Sequence, residues 1–124
     1  MNPRTAGSWA LTGLLALALT GSGIGALVRA ESVVAIMLHL GYPTFVGPIL
    51  GFWYIAAAVA LVAPGLLRVK EWAYAGVMFA MTGALASHLF AGDGFAESAP
   101  SAVLATLTLA SYLLRPNDRR LVAQ

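Results

Sequence analysis

The side chains in this sequence best suited to chemistry near neutral pH are His39 and His88, because imidazole can donate, accept or carry a proton there. Each stands inside or beside an apolar stretch, where a polar group is costly and so marks a first place to look for function. Tyr42 follows His39 by three residues and Ser87 directly precedes His88, so a hydroxyl accompanies each ring. Glu31 and Asp93 fall at the same level once the chain is laid out in a bilayer, which makes one outer-side polar cluster geometrically feasible. Trp53 and Tyr54 add flat aromatic surface in the middle of an apolar run; being adjacent, they cannot share a helix face, so at least one points inward as core or as the wall of a ring pocket.

Three readings of the histidines stand side by side. Each ring can hydrogen-bond a neighbouring helix backbone or a headgroup, as most intramembrane polar groups do. One or both can hydrogen-bond the carbonyl of a quinone-like ligand, as an uncharged donor or a proton acceptor. Two histidines on different helices can also ligate a haem, although no covalent attachment motif is present, which puts haem behind quinone; no protein metal site is expected. With Cys 0, disulfides, iron–sulfur clusters and cysteine zinc sites are excluded by inventory. The sequence also has no phosphate-cradling glycine loop, no positioned serine–histidine–acid set and no run of buried charges of the kind a pump carries. Catalysis by these side chains alone is not expected, and the remaining hydroxyls, Thr12, Thr20, Ser22 and Thr82, can return to the preceding helical turn.

The elements that would position these groups follow from composition. Of 124 residues, 60% are hydrophobic and 10% charged, far from the mixture that covers a water-soluble domain. Divided at charges, prolines and glycines, the chain gives four apolar stretches, 8–28, 44–63, 72–91 and 100–114, close to the ~20 residues needed to cross a bilayer as a helix. The segment 31–41 is too short to span and reads as an interfacial or re-entrant helix ended by Gly41-Tyr42-Pro43. The fold class expected is therefore all-α, a single integral membrane domain over 1–124 built as a four-transmembrane-helix bundle. Arg4 before the first stretch and Val28-Arg29-Ala30 after it resemble a cleaved signal peptide, but the apolar run is longer than a signal core of ~7–15 residues, so retention is expected.

Orientation follows from the basic residues. With the N-terminus inside, Arg4, Arg68, Lys70, Arg115, Arg119 and Arg120 are cytoplasmic, leaving Arg29 outside with Glu31, Asp93 and Glu97. Trp9, Trp72, Tyr74 and Tyr112 then mark the inner interface, and Tyr42 and Phe45 the outer one. Glycines four apart, Gly21 with Gly25 and Gly47 with Gly51, predict the faces where helices approach closely. The net charge of +2, placed at span ends, fits orientation in a bilayer better than a nucleic-acid surface.

These residues resemble the DoxX-like membrane proteins. The resemblance runs through Trp9 with Thr12-Gly13-Leu14, His39-Leu40-Gly41-Tyr42-Pro43, Ile49-Leu50-Gly51 before Trp53, Lys70-Glu71-Trp72-Ala73-Tyr74-Ala75-Gly76, Thr82-Gly83-Ala84 and Ser87-His88. It implies a four-helix membrane bundle, in a family named for a subunit of a thiosulfate- and quinone-linked respiratory enzyme, with other members associated with oxidative-stress or thiol-handling membrane complexes. Tyr54 stands where many relatives carry a lysine. The expected function is a small membrane subunit or accessory protein of quinone-linked electron transfer in a bacterial inner membrane, both termini cytoplasmic, with a lipophilic ligand site near His39, Tyr42, Ser87, His88, Trp53 and Tyr54. A structural subunit packing on a larger membrane complex and a carrier of a small lipophilic solute are the alternatives. Lipids and other membrane proteins or further copies of the chain are the expected partners; nucleic acid is not.

Overall fold

The computed structural model describes residues 2–121. Among these residues the secondary structure is entirely helical: α1 (Pro3–Leu27), α2 (Glu31–Leu40), α3 (Val46–Val62), α4 (Leu67–Phe90) and α5 (Phe95–Leu113), followed by a 3-10 turn, Asn117–Arg119. Each boundary has a local cause. Asn2 opens α1 by accepting the Thr5 amide at 2.8 Å, with Pro3 at the first helical position where its missing N–H costs nothing. Gly41 ends α2 at φ 83°, a left-handed conformation that only glycine adopts without strain, and Pro43 keeps the helix from resuming at once. Pro64-Gly65 end α3, with Gly65 at φ 68°.

The helices reach beyond the expected spans at three starts, α1 beginning at Pro3 rather than Ser8. α4 begins at Leu67 rather than Trp72, taking in Lys70. α5 begins at Phe95 and carries Pro100 inside it, so the proline interrupts one backbone bond instead of opening the helix. α1 and α4, of 25 and 24 residues, are long and apolar enough to cross a membrane; α3 is apolar with 17 residues, and α5 is rich in serine and threonine. α2, at about 1.5 Å per residue, reaches only about half of a ~30 Å hydrocarbon core.

α1 packs along α3, α3 on α4, α4 on α5 and α5 back on α1, closing a ring of four helices, while α2 touches α1 and α3 lightly and buries no residue. The core is Leu15, Leu19, Ala58, Leu61, Tyr74, Val77 and Met81. Tyr74 is 3% exposed; its hydroxyl bonds the Ser111 hydroxyl at 2.7 Å, and Thr12 joins the same oxygen at 2.8 Å. α1 and α3 cross at Gly23 and Gly51. A methyl group at Gly51 would stand 2.6 Å from the Gly23 carbonyl oxygen. Gly21, expected at a contact, faces open space, and Gly25 is only loosely approached by Val33; Gly47 is buried beside Gly51 as the spacing predicts.

The polarity of the bundle is inverted relative to a water-soluble one. Buried positions hold Ser8, Thr12, Ser101, Thr108, Ser111 and Lys70, whereas Leu17, Trp72, Phe79 and Phe90 point outward. The end of the bundle where α1 begins and α5 ends is tied by cations. Lys70, 1% exposed, donates to the carbonyls of Ala60 and Ala63 and Arg119 to that of Leu61, so the last turn of α3, which has no capping side chain of its own, receives charged donors. Arg115 donates to Glu71 at 2.9 Å and lies over the Tyr74 and Tyr112 rings, and Arg119 lies over Trp9.

Candidate functional site

At the opposite end, the turn between α4 and α5 folds back on α4. Gly92, at φ 79°, allows the Asp93 amide to donate to the His88 carbonyl at 2.9 Å, which brings the Asp93 side chain over the His88 ring. His88 Nδ1 then meets Asp93 Oδ2 at 2.7 Å. The last turn of α2 delivers His39 from the other side, with Nε2 2.6 Å from Asp93 Oδ1. One carboxylate thus joins two imidazoles from separate helices. Its own side chain is 9% exposed, against 13% for His88 and 55% for His39, so the bridge is sheltered on the α4 side and open on the α2 side.

Both hydrogen bonds favour the charged form of Asp93. The bond from His88, then that from His39, hold its carboxyl below the usual carboxylate range, outweighing the desolvation that would raise it. An ionised carboxylate only accepts, so the protons sit on His39 Nε2 and His88 Nδ1. The second nitrogen of each ring, His39 Nδ1 and His88 Nε2, makes no hydrogen bond among the described residues. A carboxylate behind an imidazole fixes its tautomer and stabilises the imidazolium that forms when the far nitrogen takes a proton. The arrangement therefore leaves His39 Nδ1 and His88 Nε2 as acceptors, each able to take a hydrogen bond or a proton from a ligand.

A second link runs beside the first. Ser87 donates to the Gly83 carbonyl at 2.8 Å and so accepts from the Tyr42 hydroxyl at 2.6 Å. His39, Tyr42, Ser87 and His88 are therefore brought to one place. Trp53 and Tyr54 are not. They flank a cavity of about 400 Å³ between α3 and α4, further toward the terminal end, where Leu50, Trp72, Gly76 and Ala80 complete the wall. Tyr54 also packs on the core, whereas Trp53 is 62% exposed with its ring edge-on to Phe52.

Asp93 is the member that sequence reasoning placed at the right level but left out of the site. The signal for it was Gly92 followed by an acidic residue five positions after His88. Glu31, expected at the same level, makes no ion pair among the described residues.

Most of α1 and α5, all of α2, α3 and α4, and the histidine cluster lie in a stretch that a family model recognises: the DoxX-like family model matches residues 10–111. The chain belongs to the DoxX-like family. In this DoxX-like chain the matched region holds His39, Tyr42, Trp53, Tyr54, Ser87, His88 and Asp93, and ends at Ser111, so Arg4, Arg115, Arg119 and Arg120 lie outside it. Among curated proteins and solved structures, none matches the chain significantly.

Proposed function

We propose that this DoxX-like protein is a four-span integral membrane protein, with both termini cytoplasmic in a bacterial inner membrane, that serves as an accessory subunit of quinone-linked electron transfer. The observation that carries the site is the sharing of Asp93 by His39 and His88, two rings from separate helices. The membrane reading is supported by the inverted polarity of the bundle, since a helix that turns leucine and phenylalanine outward and hydroxyls inward suits lipid. α3 and α5 complete the four spans as members of the same ring of helices.

In this reading a lipophilic ring approaches from the membrane and meets the α2 side of the cluster. His39 Nδ1 or His88 Nε2 takes the proton of a hydroquinone hydroxyl, or, once protonated, donates to a quinone carbonyl. Asp93 stays ionised and holds both rings in place. Oxidation of a hydroquinone would release two protons, one for the free nitrogen of each ring, and two electrons, which would pass to a redox cofactor of a partner protein. The test is the content of the protein purified in mild detergent. Lipid extraction and absorbance spectra should show quinone retained by the natural chain and lost on Asp93→Asn, with helix content unchanged. A chain equally free of quinone before and after that substitution would overturn the reading. Reporter fusions at Gln124 and near Asp93 test the orientation: activity of a periplasm-only reporter at Gln124 would reverse it.

A structural subunit is the second reading. It is favoured by the outward aromatic rings of Trp53, Trp72 and Phe79, which offer a partner helix a face that the bundle does not use.

A further inference from the structure

Arg4, in the first turn of α1, and Arg120, just beyond the 3-10 turn, come from opposite ends of the chain and meet over one backbone atom. Arg4 Nη2 lies 3.4 Å from the Leu113 carbonyl oxygen and Arg120 Nη2 lies 2.8 Å from it. Arg120 Nε also donates to the Arg115 carbonyl at 2.6 Å. The C-terminus of a helix favours a nearby cation, which accounts for one guanidinium at α5. It does not account for two at a single carbonyl, because like charges at this range repel. Among the described residues neither arginine has a carboxylate partner; the one acid that pairs with an arginine, Glu71, is taken by Arg115.

The surroundings raise the positive potential further. Lys70 and Arg119 are buried at the same end of the bundle, with Arg115 offset by Glu71, and the positive end of α1 begins at Pro3. Arg4 is exposed and Arg120 half-exposed, and Arg4 Nε and Nη1 and Arg120 Nη1 donate to nothing among the described residues. Leu113 and Leu114, on the same last turn of α5, are exposed as well. The guanidinium N–H groups that the carbonyls leave unused, beside apolar surface, match a group that is anionic at one end and hydrocarbon at the other.

We propose that Arg4 and Arg120 clamp the phosphate of an anionic phospholipid where the two ends of the chain meet, with its acyl chains along the last turn of α5. The proposal rests on the membrane-embedded reading above. A phosphate oxygen bridging the two forks removes their mutual repulsion and joins α1 to the segment after α5, which the Leu113 carbonyl alone does only weakly.

The test uses the full chain in neutral maltoside detergent. Native mass spectrometry and thermal unfolding are read during titration with dioctanoyl phosphatidylglycerol, dioctanoyl phosphatidylcholine or inorganic phosphate. One phosphatidylglycerol per chain should be retained with a raised melting temperature, and Arg4→Gln or Arg120→Gln should each weaken retention roughly tenfold, as expected for one lost charge-assisted pair. Arg120→Lys, which keeps the charge and removes the fork, should fall between. Arg68→Gln, an exposed cation in the first turn of α4, should change little. Equal loss in Arg68→Gln would reduce the effect to general charge and overturn the clamp. Protection by inorganic phosphate as strong as that by phosphatidylglycerol would overturn the lipid as its occupant. Release of the chain from membranes by alkaline carbonate would overturn the membrane reading itself, whereas a carbonate-resistant chain whose lipid retention ignores both arginines would overturn the clamp alone.

Discussion

Gly51→Ala is expected to separate α1 from α3. The added methyl would lie 2.6 Å from the Gly23 carbonyl oxygen, 3.0 Å from the Leu27 amide nitrogen and 3.0 Å from Ala26 Cβ. Two of these are backbone atoms of another helix and cannot rotate aside. Ordinary contact begins at 3.4 Å, so the helices must part by about 0.8 Å at the closest point. Overpacking of this kind costs about 1–3 kcal/mol, and the rigid obstacle puts Gly51 in the upper half of that range. Replacing glycine inside a helix also returns up to about 1 kcal/mol of propensity, which obscures the single measurement. Gly21→Ala supplies the control: it gains the same propensity and meets nothing within 4 Å. The difference between the two variants is therefore about 2–3 kcal/mol, or roughly 6–15 °C in melting temperature for a chain of this size. Thermal unfolding followed by circular dichroism in detergent reads it directly. Equal melting of Gly51→Ala and Gly21→Ala would refute the assigned crossing point.

Lys70→Met should lower stability by about 2–4 kcal/mol in the same assay, because the carbonyls of Ala60 and Ala63 lose a charged donor in a buried place. Ser111→Ala should cost about 1–2 kcal/mol, and combining it with Tyr74→Phe should cost less than the two separately, since both remove one shared hydrogen bond. The carboxyl of Asp93 is held below its ordinary range, so its contribution to stability is full above the unfolded carboxylate pKa and is lost as pH falls through its lower folded value. Hydrogen exchange of α2 should accordingly rise below about pH 4, and Asp93→Asn should show fast exchange with no such step in that range. A step of equal size in Asp93→Asn would assign the effect to another group.

Much of the framework was readable from residue types because a bilayer imposes one simple demand, apolar length between polar ends. Gly41-Tyr42-Pro43 ended the short helix for a local reason, and the structure ends it there. The misplacements share a different origin. Residues 95–99 lie before the apolar run, so hydropathy could not see that they form the first turns of α5, and Pro100 looked like a helix start. Glycine spacing defines a stripe on one helix but not its partner, which is why Gly23 was missed and Gly21 chosen. The polar tip of Tyr74 reads as an interface marker, and its buried partner, Ser111, lies 37 residues away. Asp93 joins the histidine cluster only because α2 docks against the turn after α4, a contact no local pattern encodes. In the sequence Lys70 and Arg119 are charges that orient the chain, and their second role as caps of α3 follows only from where α3 ends in space.

That second role has a consequence for how the protein is made. Lys70 reaches the end of α3 from 7 and 10 residues away, so half of the cap is synthesised almost together with the helix. Arg119 reaches Leu61 across 58 residues, which at about 5–20 residues per second leaves that carbonyl waiting about 3–12 s for its donor. The end of α3 is thereby completed long after α3 itself is made, and a chain that stops between Leu113 and Arg119 would contain every residue of the five helices yet lack one donor of that cap. Such a product differs from the finished one only at that end, where a membrane protease or chaperone would have to tell them apart.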